Sequence, residues 1–208
     1  MSQANIRVLI ADDHPIVRNG MMLLIKYEPG METVAEASNG LEAVQLFRQH
    51  QPDVTLMDLR MPELSGVQAI STIRDEFPHA VIIVLTTYDG DEEIYQGLQA
   101  GAKGYLLKDA PLDQVLEAIR IVHVGQNYIP PEVGAKLVER MSRPQLSDRE
   151  RDVLGLMVKG KANQDIANSL YISEGTVKFH ISSILRKLQV SDRTQAVLIA
   201  LKRGITRL

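Results

Sequence analysis

The chain of 208 residues contains no cysteine, which excludes disulfides, thiolate catalysis and cysteine-based zinc sites. Its five histidines, His14, His50, His79, His123 and His180, are scattered. None pairs with another at a ligand spacing such as i, i+4, so they read as solvated or locally hydrogen-bonded side chains. No apolar stretch approaches the roughly 18 residues that a membrane span needs. The opening MSQANIRVLI carries one charge and a short apolar run, which predicts a strand rather than a signal peptide. These absences point to a cytoplasmic protein without a membrane partner. Internal repeats and low-complexity tracts are also lacking. What remains is an ordinary soluble composition, 24% charged and 45% hydrophobic. A core can be buried, and the length suits two domains.

The net charge of -3 conceals an asymmetry. Met1–Gly125 holds 18 acidic and 9 basic residues, whereas Gln126–Leu208 holds 8 and 14. An acidic half joined to a basic half suggests two tasks, with nucleic acid a candidate partner for the second.

Short β-branched runs at Ile6–Ile10, Thr33–Ala37, Val54–Met57, Val81–Leu85 and Gly104–Leu107 alternate with helical patterns. The helices are expected at about Ile16–Tyr27, Leu41–His50, Val67–Phe77, Glu92–Ala100 and Leu112–Val124. The run Val81–Leu85 is apolar without alternation, as in a strand covered on both faces. Five βα units in this order predict an open, doubly wound parallel α/β sheet with right-handed crossovers. A linker over 125–144 follows, carrying Pro130, Pro131 and Pro144 and a short amphipathic stretch near Val133–Met141. The expected domains are thus 1–124 and 145–208.

Ligands of such sheets bind at the carboxyl ends of the strands. Those ends carry Asp12 and Asp13, Asp58, Thr86 and Thr87, and Lys108. Any one of them is what a strand re-entering water ordinarily carries; their convergence is what singles them out. Three carboxylates together are unfavourable unless a cation compensates. Mg²⁺ suits Asp13 and Asp58 directly, with Asp12 reaching it directly or through water. Lys108 adds a second positive charge. A carboxylate between a divalent cation and a lysine can attack phosphorus, both cations neutralising the phosphoryl oxygens. Thr86 could then donate to the attached phosphoryl group.

In the basic segment, Ser147 and Glu150 form a capping-box pattern opening a helix over about Asp148–Lys159, stopped by Gly160. Further helices are expected at about Asn163–Leu170, Glu174–Leu188 after the cap Ser173, and Arg193–Lys202 ended by Gly204. At about 100° per residue, Val177, Ile181, Ile184, Leu185 and Leu188 share one stripe of the third. Lys178, Phe179, Ser182, Ser183 and Arg186 lie opposite. Such a helix fits a DNA major groove, and it also fits a solvated amphipathic helix, against which the exposed Phe179 counts.

The segments IRVLIADDHPIVRNG, PDVTLMDLRMPELSG, VIIVLTTYDGDEE and AGAKGYLLKDAP together resemble the receiver domain of two-component response regulators. The resemblance spans nearly all of Ile6–Val124. It implies a flavodoxin-like five-stranded sheet of order 2-1-3-4-5, phosphorylation of Asp58 by a sensor histidine kinase, and Mg²⁺ (or Mn²⁺) held by Asp12, Asp13, Asp58 and the main-chain carbonyl of Arg60. It makes Thr86 the switch hydroxyl, Lys108 the phosphate-binding lysine and Tyr105 the aromatic whose rotamer follows Thr86. Arg60 and Tyr88 flank the path of an attacking water. Receivers often have proline after the lysine through a cis peptide; here Asp109 follows Lys108, and the isomer of that bond is left open.

The segment LSDRERDVLGLMVKGKANQDIANSLYISEGTVKFHISSILRKLQVSDRTQAV resembles the LuxR-type helix-turn-helix of the NarL/FixJ subfamily, over about Gln145–Gly204. The implied output is a small all-α four-helix domain that binds double-stranded DNA. Lys178, Phe179 and Ser182 match base-reading positions, Ser182 standing where relatives often carry a base. Lys161, Asn163, Thr176, His180, Arg186, Lys187 and Arg193 are candidate phosphate contacts. The subfamily implies a homodimer on activation and, in its resting state, a receiver that can mask the recognition helix.

The function expected is phosphorylation-controlled transcription regulation, with no enzyme activity beyond the receiver's own phosphorylation and dephosphorylation. Two rival functions fit the sequence less well. An aspartyl-phosphate phosphohydrolase needs an acid/base two residues after the nucleophile, where Arg60 stands. A phosphate-independent regulator has little use for the intact set of Asp12, Asp13, Asp58, Thr86 and Lys108.

Overall fold

The computed structural model describes residues 5–87, 91–142, 144–203 and 205–206. Tyr88 and the helix stop Gly204 lie outside the described residues. The chain divides into two compact units. Residues up to 87 with Ile94–Ala135 form the first; Lys136 onward, with Glu92 and Glu93, form the second.

The strands are β1 (Ile6–Ala11), β2 (Met31–Ala37), β3 (Val54–Met57), β4 (Ile82–Thr86) and β5 (Gly104–Leu107). All pair in parallel, in the order β2-β1-β3-β4-β5. Between them run α1 (Pro15–Lys26), α2 (Gly40–His50), α3 (Gly66–Glu76) and α4 (Asp91–Gln99), and α5 (Leu112–His123) follows β5. Every residue of β3 and β4 is buried, which is why those runs read as continuously apolar rather than alternating. On one side of the sheet a core joins Val8, Ile10, Leu56, Ile83, Leu85 and Leu106 to Ile25 of α1 and to Val115, Ile119 and Val122 of α5.

Both sheet edges are modified. On β2 the register jumps between Val8/Thr33 and Leu9/Ala35. Val34 is thereby left as a bulge that interrupts a flat edge. On β5 the chain beyond α5 returns as cover. Tyr105 N donates to Tyr128 O at 2.9 Å and Tyr128 N to Lys103 O at 3.0 Å. Tyr128 also packs on the sheet core. The segment expected to be linker from 125 therefore begins as part of the first unit. It continues into α6 (Pro131–Ser142), within which the division between units falls. A β5 edge hydrogen-bonded from outside the sheet has no signature in hydrophobic period.

The second unit carries α7 (Asp148–Val158), α8 (Asn163–Leu170), α9 (Glu174–Leu188) and α10 (Arg193–Lys202). Ser147 and Glu150 form the expected capping box. Ser173 caps α9 and Asp192 caps α10 through their side chains. The core is Val153, Leu154 and Met157 of α7, Ile166 of α8, Val177, Ile184 and Leu188 of α9, and Ala196 and Ala200 of α10. Ile181 and Leu185 pack against it, so the apolar stripe of α9 faces inward as its spacing requires.

Candidate functional site

Chain direction alone puts the polar residues of the first unit at one sheet edge. In a parallel sheet every strand ends on the same side, and Asp12, Asp58 and Lys108 each follow a strand directly. Main-chain bonds set their depth: Asp58 N donates to Ala11 O at 2.8 Å, Asp12 N to Ala37 O at 3.1 Å, and Lys108 N to Thr86 O at 2.8 Å. Asp12 is fully buried and Asp58 is 2% exposed. Lys108 Nζ sits 2.6 Å from Asp12 Oδ2 and 2.8 Å from Asp58 Oδ2, bridging residues that end β1 and β3. Arg60 N donates to Asp58 Oδ1 at 3.2 Å. The Lys108–Asp109 peptide is trans, as are all bonds among the described residues.

Burial pushes the Asp58 carboxyl above its ordinary value, opposed by Lys108 and the Arg60 N–H and reinforced by the charge of Asp12. Lys108 is raised as well; burial lowers it, but hydrogen bonds and charge from Asp12 and Asp58 outweigh that. The site thus holds a buried carboxylate made more basic by its surroundings and a lysine kept charged beside it.

Asp12, Asp13, Asp58 and His14 each offer a ligand atom within 4.8 Å of the others. Two buried oxygens, Asp12 Oδ2 and Asp13 Oδ1, lack a hydrogen-bond donor in favourable geometry, although each lies beside a nitrogen of Lys108 or His14. Three clustered carboxylates, two of them sharing one lysine and with acceptor capacity to spare, fit a hard divalent cation. Sequence reasoning set His14 aside. Its Nδ1 lies 2.6 Å from Asp13 Oδ1 and 3.2 Å from Asp12 Oδ1, so it is locally bonded, but at the mouth of the cluster. Arg18 was also missed; its Nη1 donates to Asp12 O at 2.6 Å. Gly66 was likewise passed over. A Cβ there would stand 1.9 Å from Asp58 O, so the start of α3 presses directly on the backbone of Asp58.

Thr86 and Tyr105 are both wholly buried. The register Val84↔Tyr105 and Thr86↔Leu107 puts them on one face of the sheet, one step apart along the strands. That face is covered by α4, since a Cβ on Gly97 would meet Val84 Cγ2 at 3.1 Å.

In the second unit, Phe179 is 70% exposed on α9. Lys178, Ser182 and Arg186 are exposed beside it, and Lys178 Nζ pairs with Glu174 Oε1 at 2.9 Å. His180 lies edge-on to Phe179, ring centroids 5.8 Å apart. Thr176 is tied to the cap, its Oγ1 2.8 Å from Ser173 Oγ. Other expected phosphate contacts are likewise engaged within the unit. Lys187 Nζ is drawn inward to Glu150 Oε2 at 2.6 Å. Arg193 donates to Asn163 Oδ1 at 3.0 Å and to Lys161 O at 2.6 Å, binding the start of α10 to the start of α8. Ser183, placed on the outer side by the helical wheel, is one of the groups that hold the Glu150 carboxyl below its ordinary value.

Residues 8–120 match the family described as response regulator receiver domain, and residues 144–200 match bacterial regulatory proteins of the luxR family. The chain is a response regulator with a LuxR-type DNA-binding domain. Its relatives include the uncharacterized transcriptional regulatory protein YhcZ of Bacillus subtilis, 42% identical over 94% of this chain and 95% of that protein. The oxygen regulatory protein NreC of Staphylococcus carnosus is 39% identical over 96% and 98%. Among solved structures, the two-component response regulator RcsB–DNA complex aligns with a TM-score of 0.70 at 27% identity, covering 95% of this chain and 98% of that one. Response regulators of this kind are transcriptional regulators. Among the described residues no helix is long and apolar enough to cross a membrane.

Proposed function

We propose that Asp58 accepts a phosphoryl group from a sensor histidine kinase and that the phosphorylated regulator binds its DNA as a homodimer in the cytoplasm. The observation that carries this reading is Lys108 Nζ lying between the buried carboxylates of Asp12 and Asp58. Asp58 is the nucleophile: one carboxylate oxygen forms the bond to phosphorus while the donor nitrogen leaves with its electron pair. Lys108 neutralises a phosphoryl oxygen and fixes the approach. Mg²⁺ (or Mn²⁺), held by Asp12, Asp13, Asp58 and the carbonyl of Arg60, supplies the remaining positive charge.

Attachment of the phosphoryl group draws the Thr86 hydroxyl toward Asp58 and vacates space beside it. Tyr105, on the same sheet face, follows. The chemistry is confined to the protein's own aspartyl phosphate, so this is a switch and not an enzyme acting on substrates. In the output unit Lys178, Phe179 and Ser182 read base edges. Lys161, Asn163, Thr176, His180 and Arg186 contact phosphates. Arg193 and Lys187 act first as internal fasteners and are secondary candidates for phosphate contact.

Incubation with acetyl phosphate and Mg²⁺ should add one phosphoryl group by intact mass to the wild type and none to Asp58→Asn. Phosphorylation should tighten DNA binding of the wild type alone. Equal binding by Asp58→Asn and by the phosphorylated wild type would refute the switch.

A further inference from the structure

From Lys136 onward the sequence holds two aromatic residues, Tyr171 and Phe179. Neither enters the core of the second unit, which is built from aliphatic side chains and Met157. Phe179 is 70% exposed and Tyr171 is 96% exposed.

Tyr171 ends α8 with φ 55 and ψ 46, in the left-handed region that glycine and asparagine occupy most easily. The turn does not depend on its ring. Ile172 N donates to Ala167 O at 3.0 Å, closing the helix end, and Ile172 packs against the aliphatic core. Arg149 Nη2 donates to Leu170 O at 2.5 Å. Ser173 Oγ then accepts from Thr176 N at 3.0 Å and opens α9. A closed, fastened turn therefore holds a phenol out in water. The fold gains no packing from the ring, and a smaller residue would take this backbone with less strain. A residue unfavourable to its own fold points to a use outside it.

We propose that Tyr171 is a DNA-backbone contact whose phenolic hydroxyl donates to a phosphate oxygen of the duplex that α9 enters. The proposal rests on the reading of α9 as the DNA-facing helix. Tyr171 lies just ahead of the Ser173 cap, on the turn that leads into the exposed Lys178 and Phe179. The residues flanking a helix at the groove are placed to meet the sugar–phosphate edge. The contact is independent of sequence, and a neutral hydroxyl releases no counterion.

The full-length protein, phosphorylated with acetyl phosphate and Mg²⁺, can be titrated against a mixed-sequence DNA duplex at several salt concentrations, so no operator is required. Tyr171→Phe and Tyr171→Asn should each weaken binding by about three- to tenfold, with the wild-type slope of affinity against salt. Tyr171→Asn should do so with an unfolding temperature equal to or above that of the wild type. Wild-type binding by Tyr171→Phe would overturn the hydroxyl contact. So would a lowered unfolding temperature in Tyr171→Asn, because the ring would then serve the fold. Lys178→Ala separates the two levels. Loss there without loss in the Tyr171 variants sinks the Tyr171 contact alone, whereas no loss in any of the three sinks the DNA-facing assignment of α9.

Discussion

Glu150 is the most informative residue of the output unit to perturb. It opens α7, accepts from Ser147 N at 2.7 Å and receives Lys187 Nζ of α9 at 2.6 Å. Its side chain is 5% exposed, that of Lys187 24%. Burial pushes the carboxyl up, but the Lys187 ammonium, the Ser147 N–H and the Ser183 hydroxyl outweigh it and hold the carboxyl at about 2 against an ordinary 4.5. Such a displacement corresponds to roughly 3 kcal/mol at neutral pH. Allowing for water around Lys187, Glu150→Gln should cost the unit about 2 kcal/mol, a large part of a typical stability of about 5–15 kcal/mol. The folded carboxyl is the stronger acid, so the unfolded chain binds more protons between these two values. The stabilisation is complete above about 4.5 and disappears as pH falls towards about 2. Hydrogen exchange of the α7 and α9 amides in the full chain measures it. Protection should fall roughly thirtyfold in Glu150→Gln at pH 7. The gap between wild type and variant should close on acidification below 4.5. Unchanged protection at pH 7, or a gap indifferent to acid, would refute the argument that this pair joins α7 to α9.

Other consequences concern the receiver. Gly66→Ala must displace either α3 or Asp58, since a Cβ would stand 1.9 Å from Asp58 O. A cost of about 3 kcal/mol and a loss of phosphoryl uptake from acetyl phosphate are expected, and a variant that unfolds and phosphorylates like the wild type would contradict the contact. Mg²⁺ at tenfold its dissociation constant should stabilise the receiver by about 1.4 kcal/mol, a shift of a few degrees in unfolding temperature. Asp13→Asn should abolish most of that shift; an undiminished shift would place the ion elsewhere. Asp58→Asn should unfold at a higher temperature than the metal-free wild type, because it removes a buried carboxylate that burial and Asp12 disfavour. A lower temperature would mean that the bond to Lys108 outweighs both.

The legibility of this chain follows from where the determinants act. Val81–Leu85 reveals a doubly covered strand because burial on both faces leaves no polar position. The strand-end cluster is legible because parallel strands all deliver their next residue to one edge. Asp12, Asp58 and Lys108 needed no side-chain geometry to be grouped. Partners set by loop path were not legible. His14 approaches Asp13, Arg18 reaches the carbonyl of Asp12, and Gly66 presses on Asp58, through turns that no periodicity encodes. The edge cover by Tyr128 escaped for the same reason. On α9 the helical wheel separated inner from outer residues correctly for Phe179 and Ile184. It could not tell that Lys187 is claimed by Glu150 from another helix.

The same electrostatics that makes the receiver reactive also costs it stability. Asp58 has its carboxyl raised, so the native state holds its proton more tightly than the unfolded chain, and stability falls as pH rises through that window. Lys108 has the same slope but in a far higher window: its raised value contributes stability at neutral pH, lost only under alkaline conditions as pH passes its folded value. One ammonium is therefore set against the carboxylates of Asp12 and Asp58, with Asp13 half-exposed beside them. In the proposed switch, a second cation would relieve the excess of negative charge, and a phosphoryl group on Asp58 would bring new oxygens for Lys108 and Thr86 to satisfy. Both events alter the balance at the ends of β1, β3, β4 and β5 at once. The wholly buried Thr86 and Tyr105 lie on one sheet face under α4, where close packing converts a small displacement into a choice between discrete arrangements. In the switch proposed above, the charge cluster and the tightly packed face beside it act together: the first takes up the phosphoryl group, and the second carries the change away from Asp58.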